Sequence, residues 1–191
     1  MARAEYKNAA RSRRLICRAL VDLLHEKPLE KITVTDIVTR ADINRGTFYA
    51  HYSGIPDVVE NIIENSCVPL REALSDYAPG KMSDPAVVLN KLQSMLEKDQ
   101  EFYQKILNSN IAILFVERLR QVVIEYILQH EKEFPAHNHD DYIFSVIFGS
   151  GGVIMMYVDW FSGRLSGTLS ELTEKAVSVI QWMVQESKKS K

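Results

Sequence analysis

Residues 33–52 read TVTDIVTRADINRGTFYAHY, a pattern that predicts two short helices joined by a tight turn. Thr33 stands where it can cap the first helix. Its hydroxyl accepts from an early backbone N–H, and Asp36, three residues on, suits the positive helix end. Ile37, Val38 and Ala41 form the inner face. Asp42 and Ile43 make the turn, and Asn44 caps the second helix, whose Phe48 and Tyr52 at i and i+4 point inward. Arg45, Thr47, Tyr49 and His51 are left for its outer face.

The flanking sequence also reads as helix. A helix over about 7–25 precedes this unit, with Leu15, Ile16, Ala19, Leu20, Leu23 and Leu24 on its buried side, and Pro28 ends it. A fourth helix begins near Pro56, a residue favoured at a first helical position. It carries Val58, Val59, Ile62 and Ile63, and Pro69 is expected to kink or end it. Residues 77–85, YAPGKMSDP, read as a linker. Amphipathic stretches follow at about 87–96, 102–107 and 111–128, then a polar loop at 129–141. Two apolar helices close the chain, about 142–165 and 169–186, with Gly163 and Gly167 between them. No stretch alternates at period two. The fold class expected is all-α, with a three-helix N-terminal domain at 1–54 and a helical C-terminal domain at 55–191.

Composition fits a soluble chain with a real core: 191 residues, 46% hydrophobic and 25% charged. A net charge of −2 conceals an asymmetry. Up to Tyr52 there are ten Lys/Arg against six Asp/Glu, and beyond it thirteen against nineteen. A basic head on an acidic body points to a polyanionic partner for the head. Cys17 and Cys67 make neither a metal spacing nor a disulfide framework and are read as small buried hydrophobes of a reducing compartment. No secretory signal is visible, and the expected location is cytoplasmic. Residues 142–161 are the most lipid-like but hold Gly149, Gly151, Gly152 and Asp159 without basic flanks. They read as a helix buried in protein, with no membrane partner expected.

A helix-turn-helix lays its second helix in the major groove of DNA while the first crosses the backbone. That second helix needs an inner face to fix its angle, which Phe48 and Tyr52 supply. It needs donors for base edges: Arg45 can grip a guanine bidentately, and the Thr47 methyl can touch thymine. It needs a small residue where backbones come close, which explains Gly46 at a position where glycine costs about 1 kcal/mol relative to alanine. Tyr49 and His51 are read as phosphate contacts that fix register. The competing readings are core packing for Tyr49, a helix-end cap for His51 and a plain solvated side chain for Arg45. Thr33 and Asn44 are counted with the DNA-facing set, as is Arg11 of the basic first helix.

The stretch ITVTDIVTRADINRGTFYAHY, with the basic helix before it, closely resembles the N-terminal domain of TetR-type transcriptional regulators. The match covers about residues 15–60, and 148–162, with its paired glycines and Asp-Trp, resembles one C-terminal type of that family. The resemblance implies that Thr35 contacts phosphate, that Arg45, Gly46, Thr47 and Tyr49 belong to the recognition helix, and that His51 contacts phosphate near its end. Three positions depart from the pattern: Asp42 where glycine is usual, Ala50 where many members have a second aromatic, and Ile55 where many have a phosphate-binding lysine. Arg3, Lys7 and Arg11 are candidates to compensate for that lysine.

The resemblance also implies a mechanism: a small-molecule effector in the C-terminal domain changes the spacing of two DNA heads in a dimer. The expected function is a homodimeric repressor released from a palindromic operator by an unknown ligand, with no enzymatic activity and no cofactor. The apolar last two helices are the expected dimer seam. Phe102, Phe115, Tyr126, Met155 and Trp160 are the candidates for an apolar effector site, with core packing the alternative for each. His130, His137 and His139, crowded with carboxylates, are the metal candidates of a metal-responsive alternative. A sequence-blind architectural binder is the other alternative, which Arg45 and Thr47 at the groove-facing end argue against.

Overall fold

The computed structural model describes the backbone of residues 2–75, 84–130 and 139–189, and among these every regular element is helical. Helix α1 (Ala2–Glu26) starts ahead of the expected residue 7. Residues 2–10 include four alanines and other good helix formers, which extend the helix without an apolar face. Ile16, Ala19, Leu20, Leu23 and Leu24 are buried as expected and Val21 joins them, but Leu15 is exposed, one step off that face.

A turn of 3₁₀ helix at Leu29–Lys31 follows Pro28 and leads to α2 (Val34–Arg40) and α3 (Arg45–Tyr49). A reciprocal cap starts α2. Asp36 N–H donates to Thr33 Oγ1 at 3.2 Å, and Thr33 N–H donates to Asp36 Oδ2 at 2.7 Å. Between α2 and α3, Asp42 takes φ 52°, the left-handed region that aspartate tolerates where glycine is otherwise favoured. Asn44 Oδ1 then accepts the Thr47 N–H at 2.7 Å to start α3.

Helix α4 (Ile55–Ser75) contains Pro69 yet runs on past it, so the expected termination does not occur. Proline removes one ladder donor, freeing the Asn65 carbonyl four residues back. Asn65 is exposed, so water can satisfy it, while buried Leu70, Ala73 and Leu74 hold the last turns down. Asp84 and Pro85 start α5 (Pro85–Lys98), Asp84 Oδ1 accepting the Ala86 N–H at 3.0 Å. Then come α6 (Gln100–Leu107), α7 (Ala112–Gln129), α8 (His139–Phe161) and α9 (Leu169–Lys189). Most of the 77–85 linker and of the 129–141 loop lies outside the described residues.

The chain forms two compact units. One comprises Met1–Asn65 and Glu101–Phe115. Ile16, Leu20, Ile37, Phe48 and Val58 bury completely in it, as do Ile106 and Ile111 from the later segment. Helix α6 is tied to α1 by charge: Lys105 Nζ lies 2.7 Å from Asp22 Oδ1 and 2.7 Å from Glu101 Oε1. The Asp22 hydrogen bond, then that of Glu101, hold the ammonium pKa above its ordinary value.

The other unit comprises Ser66–Gln100 and Val116–Lys191. Cys67, Leu70, Leu74 and Val122 make a core cluster, backed by Val88, Leu92, Leu119 and Tyr126. Helix α9 packs against both α5 and α8. The α8–α9 contact carries one buried polar pair. Thr173 donates its hydroxyl to the Leu169 carbonyl at 2.9 Å, so Tyr157 Oη donates to Thr173 Oγ1, also 2.9 Å. At Gly149 α9 comes close to α8, since a Cβ there would lie 2.8 Å from Ile180 Cδ1. A Cβ on Gly151 or Gly152 would meet nothing within 4 Å among the described residues. No helix among the described residues is long and apolar enough to cross a membrane.

Candidate nucleic-acid interface

The Asn44 cap and one buried ring fix α3. Phe48 is wholly buried, edge-on to Tyr49 at 5.3 Å between centroids and 6.0 Å from Tyr52. Tyr52 lies past the end of α3 and joins a polar cluster. Its hydroxyl donates to Asn61 Oδ1 of α4 at 2.9 Å, and Cys17 Sγ of α1 is 3.5 Å away. Asn65 Nδ2 donates to the same Asn61 oxygen at 2.9 Å. Burial, then the Cys17 hydrogen bond, push the Tyr52 pKa up, and burial raises that of Cys17. Cys17 is therefore a half-buried member of a polar network, and Cys67 is buried within the apolar cluster of the other unit, as its sequence context predicts.

On the outer face, Arg45 occupies the first position of α3 and is exposed. Its Nη1 donates to Thr35 Oγ1 at 3.2 Å, and its guanidinium carbon lies 6.0 Å from the centre of the Tyr49 ring. Tyr49 itself is 52% exposed, which rules out core packing. The Thr47 hydroxyl donates to Asn44 Oδ1 at 3.0 Å, so its methyl is the part free of that bond. A Cβ on Gly46 would lie 3.2 Å from Asn44 Oδ1, a crowded contact. The glycine thus has an intramolecular reason, protecting the cap. His51 is half-buried, and its Nδ1 is buried without a hydrogen-bond partner among the described residues. Arg11 is exposed on α1, and Ile55 is half-buried at the start of α4.

Thr33 hydroxyl and amide are both engaged with Asp36, and Lys27 Nζ lies 2.8 Å from the same carboxylate. The Lys27 hydrogen bond, with those from Thr33, holds the Asp36 pKa down at about 2, below the ordinary 3.8. A depressed carboxylate stabilises the fold above its unfolded pKa and loses that contribution as pH falls through the folded one. The stability gap between wild type and Asp36→Asn is therefore expected to be flat above about pH 5 and to close between 3.8 and 2. Chemical unfolding of both forms across that range checks it, and a gap unchanged down to the lower limit contradicts it. Salt should shrink the gap, because the pair is at the surface.

The proposed effector residues are divided between the two units. Phe102 and Phe115 belong to the first unit, where Phe115 is buried and stacks on Tyr103 at 6.2 Å. Tyr126, Met155 and Trp160 belong to the second. Tyr126 backs the Cys67 cluster, Met155 is exposed, and Trp160 Nε1 donates to the Gly167 carbonyl at 2.9 Å. His130 Nδ1 lies 2.8 Å from the Tyr126 carbonyl, its ring stacked on Tyr126 at 4.3 Å, which marks it as a helix-end partner. His137 and the side chain of His139 lie outside the described residues. Among the described residues no group of three or more His, Cys, Asp or Glu could hold a metal.

A helix-turn-helix with both helices capped, Arg45 and Tyr49 outward and Phe48 inward, on a chain whose described regular elements are all helical, defines a DNA-binding transcriptional regulator. Residues 16–62 match the family model of bacterial regulatory proteins of the tetR family, and 84–189 match that of a transcriptional regulator C-terminal region. The chain belongs to the TetR family of bacterial regulatory proteins. It is 28% identical over 136 residues, 70% of each chain, to the HTH-type dhaKLM operon transcriptional activator DhaS of Lactococcus lactis subsp. lactis (strain IL1403). A solved structure of a dihydroxyacetone kinase operon activator DhaS superposes with a TM-score of 0.62 at 22% identity, covering 91% of this chain and 96% of that one. A TetR regulator from Streptococcus agalactiae 2603V gives a TM-score of 0.60 at 20% identity, covering 94% and 99%. These structures share the fold.

Proposed function

We propose that the chain binds a palindromic double-stranded operator as a homodimer and reads bases with the N-terminal end of α3. Residues 1–54 serve as the reading head. A small molecule taken up by the helical body, 55–191, sets whether the dimer holds the operator, and the cytoplasm is the compartment. Arg45 and Thr47 contact bases. Tyr49, His51 and Arg11 contact phosphates, and Thr33 and Asn44 hold the helix starts through their caps. The observation that carries this reading is the outward Arg45–Tyr49 face on a helix locked from behind by Phe48.

Dimerisation through α8 and α9 is supported by what those helices leave uncovered. Phe144, Ile147, Phe148 and Met155 of α8 are exposed at helical spacing, alongside Val179 and Trp182 of α9. Gly151 and Gly152 lie in the same stripe with open space above them. Large apolar side chains around small ones are what a close helix–helix seam requires. Two heads held about 34–36 Å apart would meet half-sites one DNA turn apart. A ligand favouring a different spacing weakens operator affinity, and operator weakens ligand binding by the same factor.

Release of repression by ligand is the primary reading of the regulatory outcome. Activation is the second, supported by the likeness to DhaS, whose name describes a transcriptional activator. The DNA reading itself is tested by two substitutions. Arg45→Ala is expected to lose about 1–3 kcal/mol on the specific site and relax preference at one base. Arg11→Ala should weaken all sequences alike and flatten the salt dependence. Equal losses on specific and random DNA for Arg45→Ala would sink base readout.

A further inference from the structure

We propose that Thr35 and Tyr49 together hold the Arg45 guanidinium in its reading orientation, so that residue 35 governs a base preference without reading a base itself. The inference rests on the reading of α3 given above and assigns Thr35 a positioning role where the family resemblance implies a phosphate contact. A free arginine samples many rotamers and loses them all on docking against a base edge. Here two groups restrict it beforehand. Thr35 Oγ1 accepts from Nη1 at 3.2 Å, and the Tyr49 ring, one turn along α3, lies 6.0 Å from the guanidinium carbon.

Both supports are themselves fixed. Thr35 is in the first turn of α2, anchored by the Thr33–Asp36 cap and by buried Ile37 and Val38, and its β-branch stiffens χ1. Tyr49 packs edge-on against buried Phe48. The geometry also divides the donors. With Nη1 committed to Thr35, the Nε–Nη2 edge is left, and two parallel N–H groups on that edge match the O6 and N7 acceptors of guanine. The threonine hydroxyl therefore selects which edge of the fork faces the groove. Removing it frees the arginine to present either edge or to swing to a phosphate, which blurs one base position and leaves the remaining contacts alone.

The test is selection of bound fragments from random duplex DNA at two salt concentrations, using the full chain as wild type, Arg45→Ala, Thr35→Val and Thr35→Ser. Arg45→Ala locates the base position that Arg45 reads. At that position Thr35→Val is expected to lower discrimination about three- to tenfold, the weight of one hydrogen bond, with other positions and the salt slope kept. Thr35→Ser, which restores the acceptor, should return wild-type preference. Tyr49→Phe, which keeps the ring, should leave the preference intact, and Tyr49→Leu should blur the same position. Thr35 is exposed, so thermal melting of each variant should match wild type. A Thr35→Val protein that binds every sequence more weakly with a flattened salt slope, or that selects as wild type does, overturns the positioning role. If Arg45→Ala leaves preference unchanged, the reading of α3 falls and the proposal with it, a result distinct from the other two.

Discussion

Phe148→Asp is expected to turn the dimer into a monomer and to lower operator affinity by a factor of about a hundred or more. Phe148 is 64% exposed on α8, close in register to Gly151 and Gly152, and Trp182 on α9 is 61% exposed. The substitution therefore removes no core packing within one chain. It places an unpaired carboxylate in a surface that the dimer would take out of water, which costs several kcal/mol. The loss at the operator follows from tethering. Once one head is docked, the second binds at a high effective concentration, and losing that link forfeits roughly 10²–10⁴ in affinity. Light scattering and operator titration on the same sample check both halves. A variant that stays dimeric contradicts the seam on α8 and α9, and a monomer that binds as tightly as wild type contradicts the two-headed docking.

The second large effect is expected inside the head. Phe48→Ala removes a ring with no exposed surface at the junction of α3 with its neighbours, and truncations of this kind cost about 3–5 kcal/mol. Domains of this size hold only about 5–15 kcal/mol of net stability, so the variant should melt far earlier. Operator binding should fall with it, because α3 is too short to keep its angle without the anchor. Denaturant unfolding followed by circular dichroism gives the number. A cost under about 1 kcal/mol would mean that the pocket collapses around the truncated side chain and that the angle of α3 is set elsewhere.

Local signals were the legible ones. The Thr33–Asp36 cap, the Asn44 cap and the aspartate at the turn each follow from a few adjacent residues, and the structure has all three, with Asp42 at φ 52°. Phe48 and Tyr52 inward and Tyr49 outward follow from helical periodicity alone. Pairings between distant segments were not legible. Lys105 reaches Asp22 across 83 residues, and no pattern in either segment announces that residues 101–115 share a compact unit with α1. The roles of small polar groups were similarly hidden. Nothing in the sequence says that the Asn44 cap would crowd a Cβ at residue 46, or that Thr35 would take an arginine hydrogen bond. The effector remained the hardest to read, because Phe115 and Trp160 have packing or hydrogen-bonding duties that any helical core could impose.

Selection from random duplex DNA, with wild type and Arg45→Ala in parallel, asks whether the outer face of α3 reads sequence on a two-fold operator. The expected result is an enriched palindrome with half-sites about one turn apart and loss of one base preference in each half-site for the variant. Unenriched DNA with a steep salt dependence for both proteins would contradict it.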